Sequence, residues 1–298
     1  MSQKTALEQF VQEEVGKVEG IYYPVKAGFL RLAFVRKASV SKLHPNPEDE
    51  FCDPKIGPHS GIVADYEKQY LQAESGPGAM PDTDGGITEP IMVEKTRPDG
   101  YMILNGHHRW AAAHMAGIRR LRIKVINLTS ESDVRKMLQS SVSDRRVSLD
   151  LDELVLRSAS DPDTELPFRF PLSKIYPERL RRGIPALFTY LHRHGYDIWV
   201  YSSRYYSYEY LKYFFRHHHL HVTGIITRIP RATPGSTEAQ KKQEKMIGEK
   251  YSVAAFIDSR MVTVSHGGSK ELEIHDLAGD ASSWSSEVIE IFRKISHL

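Results

Sequence analysis

The 298-residue sequence has one cysteine, Cys52, and no long unbroken run of apolar residues. A single cysteine excludes a disulfide within the chain, which is typical of proteins in a reducing compartment. No stretch approaches the roughly 18–20 apolar residues that span a bilayer, and the first twenty residues lack the apolar core of a signal peptide. We therefore expect a cytoplasmic protein with no membrane partner.

The sequence also lacks an excess of charge of either sign. Lys and Arg number 40 and Asp and Glu number 38, so the net charge of +2 gives no bulk attraction to nucleic acid. With 40% hydrophobic and 26% charged residues, the composition is that of an ordinary globular protein. The length predicts two domains. We assign residues 1–128 to a small mixed α+β domain, 129–145 to a helical linker, and 146–298 to an α/β domain.

The first half contains a β-hairpin, because two strand-like runs flank the turn sequence Arg97-Pro-Asp-Gly100. A Gly/Pro-rich loop is predicted at 73–86. The other predicted elements are an opening helix to about Val18, one or two strands over Phe29–Leu43, a helix at His108–Ala116, a strand at Leu121–Ile126 and a polar helix at Ser130–Ser141.

From Val147 onward, strands and helices alternate, which indicates a parallel sheet with helices on both faces. The predicted strands cover 147–151, 197–202, 222–227 and 253–258, and the predicted helices cover about 179–194, 206–217 and 236–249. We therefore expect the second domain to have a doubly wound α/β fold.

Acidic residues interrupt the ends of two of these strands. The run VSLDLDELV places Asp150 and Asp152 on one side of an extended backbone, and AAFIDSR ends on Asp258. Open α/β sheets bind their ligands at the carboxyl ends of the strands. Carboxylates gathered there repel one another unless a cation lies between them, and Mg²⁺ favours such oxygen ligands.

Between these strands, DIWVYSSR ends on Ser202 and Ser203, and lysines precede the last strand. This order of motifs resembles the haloacid dehalogenase (HAD) superfamily, mostly phosphohydrolases, over about Arg146 to the C-terminus. The resemblance implies that Asp150 attacks phosphorus and that Asp152 is the general acid and then the general base.

The same resemblance implies roles for the remaining motif residues. Ser202 and a lysine would hold the transferring phosphoryl group. Asp150, the backbone carbonyl of Asp152, and Asp258 would bind Mg²⁺. The lysine is Lys241, Lys242 or Lys245, and its spacing favours Lys242.

One feature departs from the HAD pattern, and another restricts the type of HAD protein that this could be. No second acid follows Asp258 before Asp276. The stretch between the first and second motifs is too short for a large cap domain, and family members with such small caps often act on large substrates or borrow a lid from a neighbouring domain. Arg204 and Tyr205 follow the phosphate-binding serine and are candidate substrate contacts.

The stretch NGHHRWAAA turns from a predicted strand into a predicted helix. Gly106 allows close backbone approach, while His107, His108 and Arg109 open the helix. Free amides and the positive end of the helix dipole favour phosphate there, and an arginine binds phosphate with two donors.

This stretch and its flanking segments, VSKLHPNP and ITEPIMVEK, resemble the ParB/sulfiredoxin superfamily over roughly Phe29 to Ile126. The resemblance implies nucleotide phosphates, of ATP, ADP or CTP, bound at Gly106–Arg109. His107 stands where sulfiredoxins have a catalytic cysteine. The turn is most similar to the free-serine-kinase branch, which implies Glu48 or Glu50 as a general base.

These resemblances lead to an enzyme hypothesis and two alternatives. The leading hypothesis is a Mg²⁺-dependent phosphohydrolase or phosphotransferase coupled to a nucleotide-binding domain, which either acts as a kinase or only binds nucleotide. The substrate would be a phosphorylated small molecule or nucleotide. The alternatives are a phosphatase that processes nucleic-acid ends and a non-catalytic nucleotide sensor.

Overall fold

The computed structural model describes residues 6–18, 20–32, 34–75, 87, 89–228, 238–267, 271–278 and 283–296. The chain divides into two compact units, Met1–Asn127 and Leu128–Leu298. Both units mix helices with sheets that contain parallel strand pairs, as expected of an α/β protein. Among the described residues, no helix combines the length and apolar character needed to cross a membrane.

The first unit is built on a six-stranded mixed sheet with the order β2-β6-β4-β5-β3, and β1 pairs with β4. Its strands are β1 (Tyr23–Pro24), β2 (Arg36–Ser39), β3 (Leu43–His44), β4 (Ile91–Arg97), β5 (Tyr101–Asn105) and β6 (Arg120–Val125), and its helices are α1 (Ala6–Val18), α2 (Phe29–Leu32), α3 (Ser60–Ser75) and α4 (His107–Met115). Short 3-10 turns cover Val40–Lys42 and Glu50–Cys52.

The second unit contains a six-stranded sheet with the order β11-β10-β7-β12-β13-β14. Its strands are β7 (Arg145–Asp150), β8 (Leu156–Arg157), β9 (Arg179–Leu180), β10 (Tyr196–Ser202), β11 (Gly224–Thr227), β12 (Val253–Ile257), β13 (Met261–His266) and β14 (Leu272–Asp276). Its helices are α5 (Glu131–Ser140), α6 (Leu172–Ile175), α7 (Ile184–Arg193), α8 (Tyr208–His217), α9 (Glu238–Lys250) and α10 (Trp284–Ser296).

Strands β11, β10, β7 and β12 run parallel, and β13 and β14 extend the sheet as an antiparallel edge. β7 is central and its apolar residues Val147 and Leu149 are fully buried, as expected for a parallel strand covered on both faces. β8 and β9 form a separate two-stranded ribbon. The residues between them, 158–178, are referred to below as the cap segment.

Several predicted elements agree with the structure and others do not. The hairpin β4–β5, the helix α4 and the alternating elements of the second unit lie close to their predicted positions. Residues Phe29–Leu32 are helical rather than extended, and helix α3 was not predicted. The predicted loop at 73–86 begins inside α3, and its residues 76–86 lie outside the described part of the chain.

Helix α5 packs into the second unit. Its residues Val134 and Met137 share a core cluster with Trp199 of β10 and Ile247 of α9. Ser130 begins the helix with a capping box, because its side chain accepts from Asp133 N and Asp133 accepts from the backbone N–H of Ser130. The unit boundary between Asn127 and Leu128 therefore precedes α5.

Candidate functional site

Three neighbouring parallel strands of the second unit end at one edge of the sheet. Asp150, the last residue of β7, pairs with Tyr201 of β10. Leu149 pairs with Ile257 of β12, so that Asp258, the next residue, lies level with Asp150. The strand order therefore brings the two acids predicted from separate motifs to adjacent positions.

The chain turns sharply after Asp150 through one turn of π-helix, Leu151–Val155. The Asp150 side chain caps this turn, since its Oδ1 accepts hydrogen bonds from Asp152 N and Glu153 N, both at 2.8 Å. Both donors bind the same oxygen and fix the orientation of the carboxylate. Among the described contacts, Oδ2 is the oxygen left for other chemistry.

The Asp152 carboxylate lies in a cluster of donors at the end of β10. Oδ1 accepts from Ser202 Oγ at 2.9 Å, and Oδ2 accepts from Ser203 N at 2.8 Å, Ser203 Oγ at 2.9 Å and Arg204 N at 3.3 Å. The Asp152 side chain is only 6% exposed. Two successive backbone N–H groups and two hydroxyls that converge on one point form an anion-binding site, and here a carboxylate occupies it.

The predicted residue Ser202 thus lies in this cluster, fully buried. Ser203 is as close to the anion as Ser202, and the backbone N–H of Arg204 is somewhat farther away, at 3.3 Å. Sequence reasoning noted the SSR sequence but gave the binding role to Ser202 alone. Adjacent hydroxyl residues at a strand end were the available signal for Ser203.

Asp258 begins the turn between β12 and β13. Its carboxylate accepts from the backbone N–H of Ser259 and from Ser259 Oγ at 2.9 Å, and the side chain is exposed. Within the described residues, no group of three or more His, Cys, Asp or Glu side chains has the geometry to hold a metal ion. The ligand set predicted from the sequence contains two carboxylates and one backbone carbonyl.

The predicted lysine lies on α9. Lys242 Nζ is 2.9 Å from Glu131 Oε2 at the start of α5, and Lys245 Nζ is 3.8 Å from Glu249. In the described ion pairs, Lys242 and Lys245 therefore contact carboxylates other than those of Asp150 and Asp152. The choice among Lys241, Lys242 and Lys245 stays a prediction.

The end of the cap segment contacts the residues that follow β10 through one carboxylate, which accepts hydrogen bonds from two tyrosines. Glu178 accepts hydrogen bonds from Tyr206 OH at 3.3 Å and from Tyr210 OH. Burial, and then the charge of Glu178, raises the pKa of Tyr206 to about 12. A hydrogen bond with Tyr206 is the main cause that raises the pKa of Arg204, and the nearby Asp152 charge adds to it. Glu178 and these tyrosines were not found from the sequence.

In the first unit, Gly106 begins helix α4 with φ of 104°, the left-handed region that favours glycine. The guanidinium of Arg109 folds back over it, so that a Cβ at this position would lie 3.0 Å from Arg109 Nη2. Arg109 is buried and its Nη1 donates to the backbone carbonyl of Glu89 at 2.6 Å. Arg109 therefore joins the start of α4 to the residues before β4.

The two histidines at the start of α4 bind neighbouring loops. His107 Nε2 accepts from Asn46 N at 3.2 Å, and its Nδ1 is 3.5 Å from Asp49 Oδ1. His108 Nε2 accepts from His59 N at 3.2 Å. Burial is the main cause that lowers the pKa of His108, which favours the unprotonated ring nitrogen that accepts this hydrogen bond.

Glu48, the predicted base of a kinase reaction, is exposed in the loop that His107 helps to hold. Its backbone N donates to Asn46 Oδ1 at 3.2 Å, and Asn46 N is the donor to His107. The structure therefore brings the Glu48 loop to the same end of α4 as Gly106.

One family model and one solved structure illustrate which known proteins this chain is similar to. Residues 80–142 match the ParB N-terminal domain family. This match covers hairpin β4–β5, α4 and β6, and it extends into α5. No curated protein matches the chain at a significant level. The crystal structure of the C-terminally truncated chromosome-partitioning protein ParB from Caulobacter crescentus, complexed with CTP-gamma-S, is 23% identical with a TM-score of 0.25. That match covers 37% of this chain and 56% of that one.

Proposed function

We propose that the second unit is a Mg²⁺-dependent phosphomonoesterase of the HAD type. The observation that carries this proposal is the Asp152 carboxylate held by Ser202, Ser203 and the N–H of Arg204. A carboxylate and a phosphoryl group both present negatively charged oxygens to such donors. The donor cluster can therefore bind the oxygens of a substrate phosphate once Asp152 turns away.

In the proposed reaction, Asp150 Oδ2 attacks phosphorus and the bond from phosphorus to the ester oxygen breaks. Asp152, protonated once it has left the donor cluster, gives its proton to the leaving oxygen, which completes the alcohol product. Water then attacks phosphorus, the bond from phosphorus to Asp150 Oδ2 breaks, and the water gives one proton back to Asp152. Inorganic phosphate leaves and both aspartates return to their starting states.

The residues at this edge fit a magnesium ion. Asp150 ends β7, and Asp258 directly follows the neighbouring parallel strand β12 at the same level. Oxygen ligands of this kind are those that Mg²⁺ favours. Asp150, the carbonyl of Asp152, and Asp258 would hold the ion. Bound there, Mg²⁺ would supply positive charge that offsets the negative charge of the transition state.

The test compares Asp150→Asn with Glu153→Gln in the full-length protein, using an aryl phosphate and Mg²⁺. The first substitution keeps the size of the side chain but removes the nucleophilic carboxylate. We expect it to lower the rate by about a thousandfold or more. Glu153 contributes backbone groups to the turn, its N–H to Asp150 and its carbonyl to Arg157, so a change of its exposed side chain controls for a lost neighbouring charge. Full activity in Asp150→Asn would contradict the proposal.

We further propose that the first unit binds a nucleoside di- or triphosphate at the amino end of α4. The support is the left-handed Gly106, at which the chain turns from β5 into the first residues of the helix, together with the match to the ParB N-terminal domain family. His107 and His108 would shape the site by holding the loops around it. Calorimetric titration of the full-length protein with ATP, ADP and CTP tests this, and no heat of binding at millimolar nucleotide would contradict it.

A kinase role for this unit rests on Glu48, an exposed carboxylate on the loop beside α4. Transfer of a phosphoryl group from ATP to serine, followed by chromatography of the products, tests it. A Glu48→Gln variant that keeps full transfer activity would remove Glu48 from the reaction.

A further inference from the structure

The cap segment carries an exposed aromatic ring beside exposed cations. Phe170 is 74% exposed, and the ammonium group of Lys174 lies 5.4 Å from the centre of its ring. Arg169, next to Phe170, is also exposed. An exposed phenylalanine ring is unfavourable in water and often marks a binding surface. A ligand that carries both an aromatic ring and a negative charge can contact such a ring and the cation beside it at the same time.

The acidic residues of the cap segment do not offset these cations, because each is engaged elsewhere in the unit. Asp161 is 3.6 Å from Arg157, and Asp163 is 3.5 Å from Arg181. The other two acids make hydrogen bonds: Glu165 accepts from Gly183 N and Glu178 accepts from the two tyrosines. The tip of the segment, residues 166–175, therefore presents two positive charges and no acidic residue.

A second aromatic–cation pair lies at the edge of the sheet. Ser202 pairs with Thr227 in β11, so Arg228 lies level with Ser203. The guanidinium of Arg228 is 5.6 Å from the centre of the Tyr205 ring. Arg204, between Tyr205 and the anion site, has a side chain that is 65% exposed. Cations and rings thus continue outward from the donor cluster around Asp152.

The cap segment is held in position relative to this edge. The Phe168 ring lies 4.0 Å from the His218 ring and the Tyr176 ring lies 4.9 Å from Tyr210. Glu178 binds Tyr206, which in turn bonds to Arg204. The cap segment and the Tyr205–Arg228 pair therefore belong to one unit, and Glu178, Tyr206 and Arg204 connect the cap segment to the residues beside Asp152.

We propose that these two pairs bind a single-stranded nucleic acid whose terminal phosphate is the substrate at Asp150. The proposal rests on the phosphomonoesterase function above. Proteins that bind single strands combine cations along the phosphate backbone with aromatic rings on which bases stack, and both are present here. The bond that breaks joins the terminal phosphorus to the strand oxygen, which takes its proton from Asp152 and becomes a hydroxyl.

The test uses the full-length protein and three variants. One is the double variant Phe170→Ala/Lys174→Ala, the second is Tyr205→Ala, and the control is Lys212→Ala, which removes a lysine 5.8 Å from the Tyr208 ring on α8. Each is measured with an aryl phosphate, a mononucleotide, and oligonucleotides phosphorylated at either end. Binding of a fluorescent oligonucleotide is measured separately by anisotropy at several salt concentrations.

We expect the wild-type protein to bind the oligonucleotide and to hydrolyse it with a higher kcat/KM than the mononucleotide. Loss of one stacked base and one cation should weaken oligonucleotide binding and kcat/KM by about tenfold or more. The double variant should also flatten the dependence of log Kd on log salt, by about 0.7 for each lost phosphate contact. Activity on the aryl phosphate should stay unchanged in the Phe170→Ala/Lys174→Ala variant, and Lys212→Ala should match the wild type.

The outcomes separate the two proposals. If the protein hydrolyses the aryl phosphate but the variants do not change oligonucleotide binding, the nucleic-acid proposal is wrong and the phosphomonoesterase proposal stands. If the variants weaken oligonucleotide binding but no phosphate is hydrolysed, the phosphomonoesterase proposal is wrong and the binding surface stands.

A further experiment tests lipid binding, because the exposed apolar residues Leu166 and Ile175 flank Phe170. It measures binding of the same proteins to vesicles that contain anionic lipid. Loss of vesicle binding in the double variant, with oligonucleotide binding intact, would assign the surface to lipid instead.

Discussion

Ser203 donates two hydrogen bonds to Asp152 Oδ2, one from its backbone N at 2.8 Å and one from its Oγ at 2.9 Å. The acid predicted to exchange protons with the substrate thus lies inside the donor cluster predicted to hold the phosphate. The two cannot occupy that position together. In the proposed mechanism, phosphate binding therefore requires Asp152 to turn away from these donors.

The two serines of this cluster should contribute unequally to phosphate binding. Ser202→Ala removes a buried hydroxyl and also the acceptor for Arg204 N, 3.1 Å away, whereas Ser203→Ala keeps the backbone donor. For an aryl phosphate, we expect Ser202→Ala to lower kcat/KM by about ten- to a hundredfold and Ser203→Ala by about tenfold or less. Steady-state kinetics and inhibition by inorganic phosphate measure both. The reverse order would mean that the Ser203 hydroxyl dominates.

Removing the charge of Asp258 should weaken metal binding and leave substrate binding intact. We expect Asp258→Asn to raise the Mg²⁺ concentration for half-maximal activity by roughly tenfold or more, since one anionic ligand is lost. Asp276→Asn is the matched control, because Asp276 is another exposed carboxylate at the end of a strand, paired with Met261. An unchanged Mg²⁺ requirement in Asp258→Asn would show that a different residue is the third ligand.

Arg109 should affect nucleotide binding by the first unit. We expect Arg109→Ala to weaken binding by about 2–3 kcal/mol, roughly thirty- to a hundredfold, while aryl phosphatase activity survives. Because Arg109 is buried and bonded to the Glu89 carbonyl, thermal unfolding must be followed in parallel. If Arg109→Ala lowers the melting temperature but leaves nucleotide affinity unchanged, the role of Arg109 is structural: it joins α4 to the chain before β4.

The turn at Gly106 should tolerate no side chain. A Cβ there would lie 3.0 Å from Arg109 Nη2 and 3.1 Å from Ile91 Cγ1, at a φ of 104°. Gly117→Ala is the matched control, since Gly117 has a φ of 74° but no atom within 4 Å of the added Cβ. We expect Gly117→Ala to cost about 1 kcal/mol of stability and Gly106→Ala distinctly more. Equal costs in urea unfolding would show that Arg109 and Ile91 move aside freely.

Stability should depend on pH through His218. Burial, and then the charges of His217 and His219, lowers the pKa of His218 to about 4. Between about pH 6.5 and pH 4, the unfolded chain therefore binds a proton that the folded protein does not, and the free energy of unfolding falls as pH falls through this window.

Replacing His218 should reduce that dependence. His218 Nε2 has no hydrogen-bond partner among the described residues, and the ring packs on Phe168, so phenylalanine suits the position. We expect His218→Phe to lose less stability than the wild type between pH 7 and pH 5 in urea titrations. His266→Phe, at an exposed strand position, serves as the control. An identical pH dependence in His218→Phe and the wild type would contradict the prediction.

The sequence by itself determined the elements that depend on local pattern. Alternating apolar runs and helix-like segments located the strands and helices around Asp150 and Asp258, and Arg97–Gly100 located the hairpin turn. Gly106 marked the start of α4, because glycine adopts positive φ readily and so indicates a sharp turn in the sequence. Phe29–Leu32 was mistaken for strand because its short apolar run has no clear period.

Which side chains meet depends on how distant segments of the chain pack together. The strand order β10-β7-β12 joins Asp150 to Asp258, and the conformation of the loop after β10 aims Ser203 N and Arg204 N at Asp152. The pairing of Lys242 with Glu131 and of Glu178 with Tyr206 also depends on how separate segments pack. A backbone N–H carries no sequence signature, and a contact between distant segments depends on register and packing rather than on local pattern.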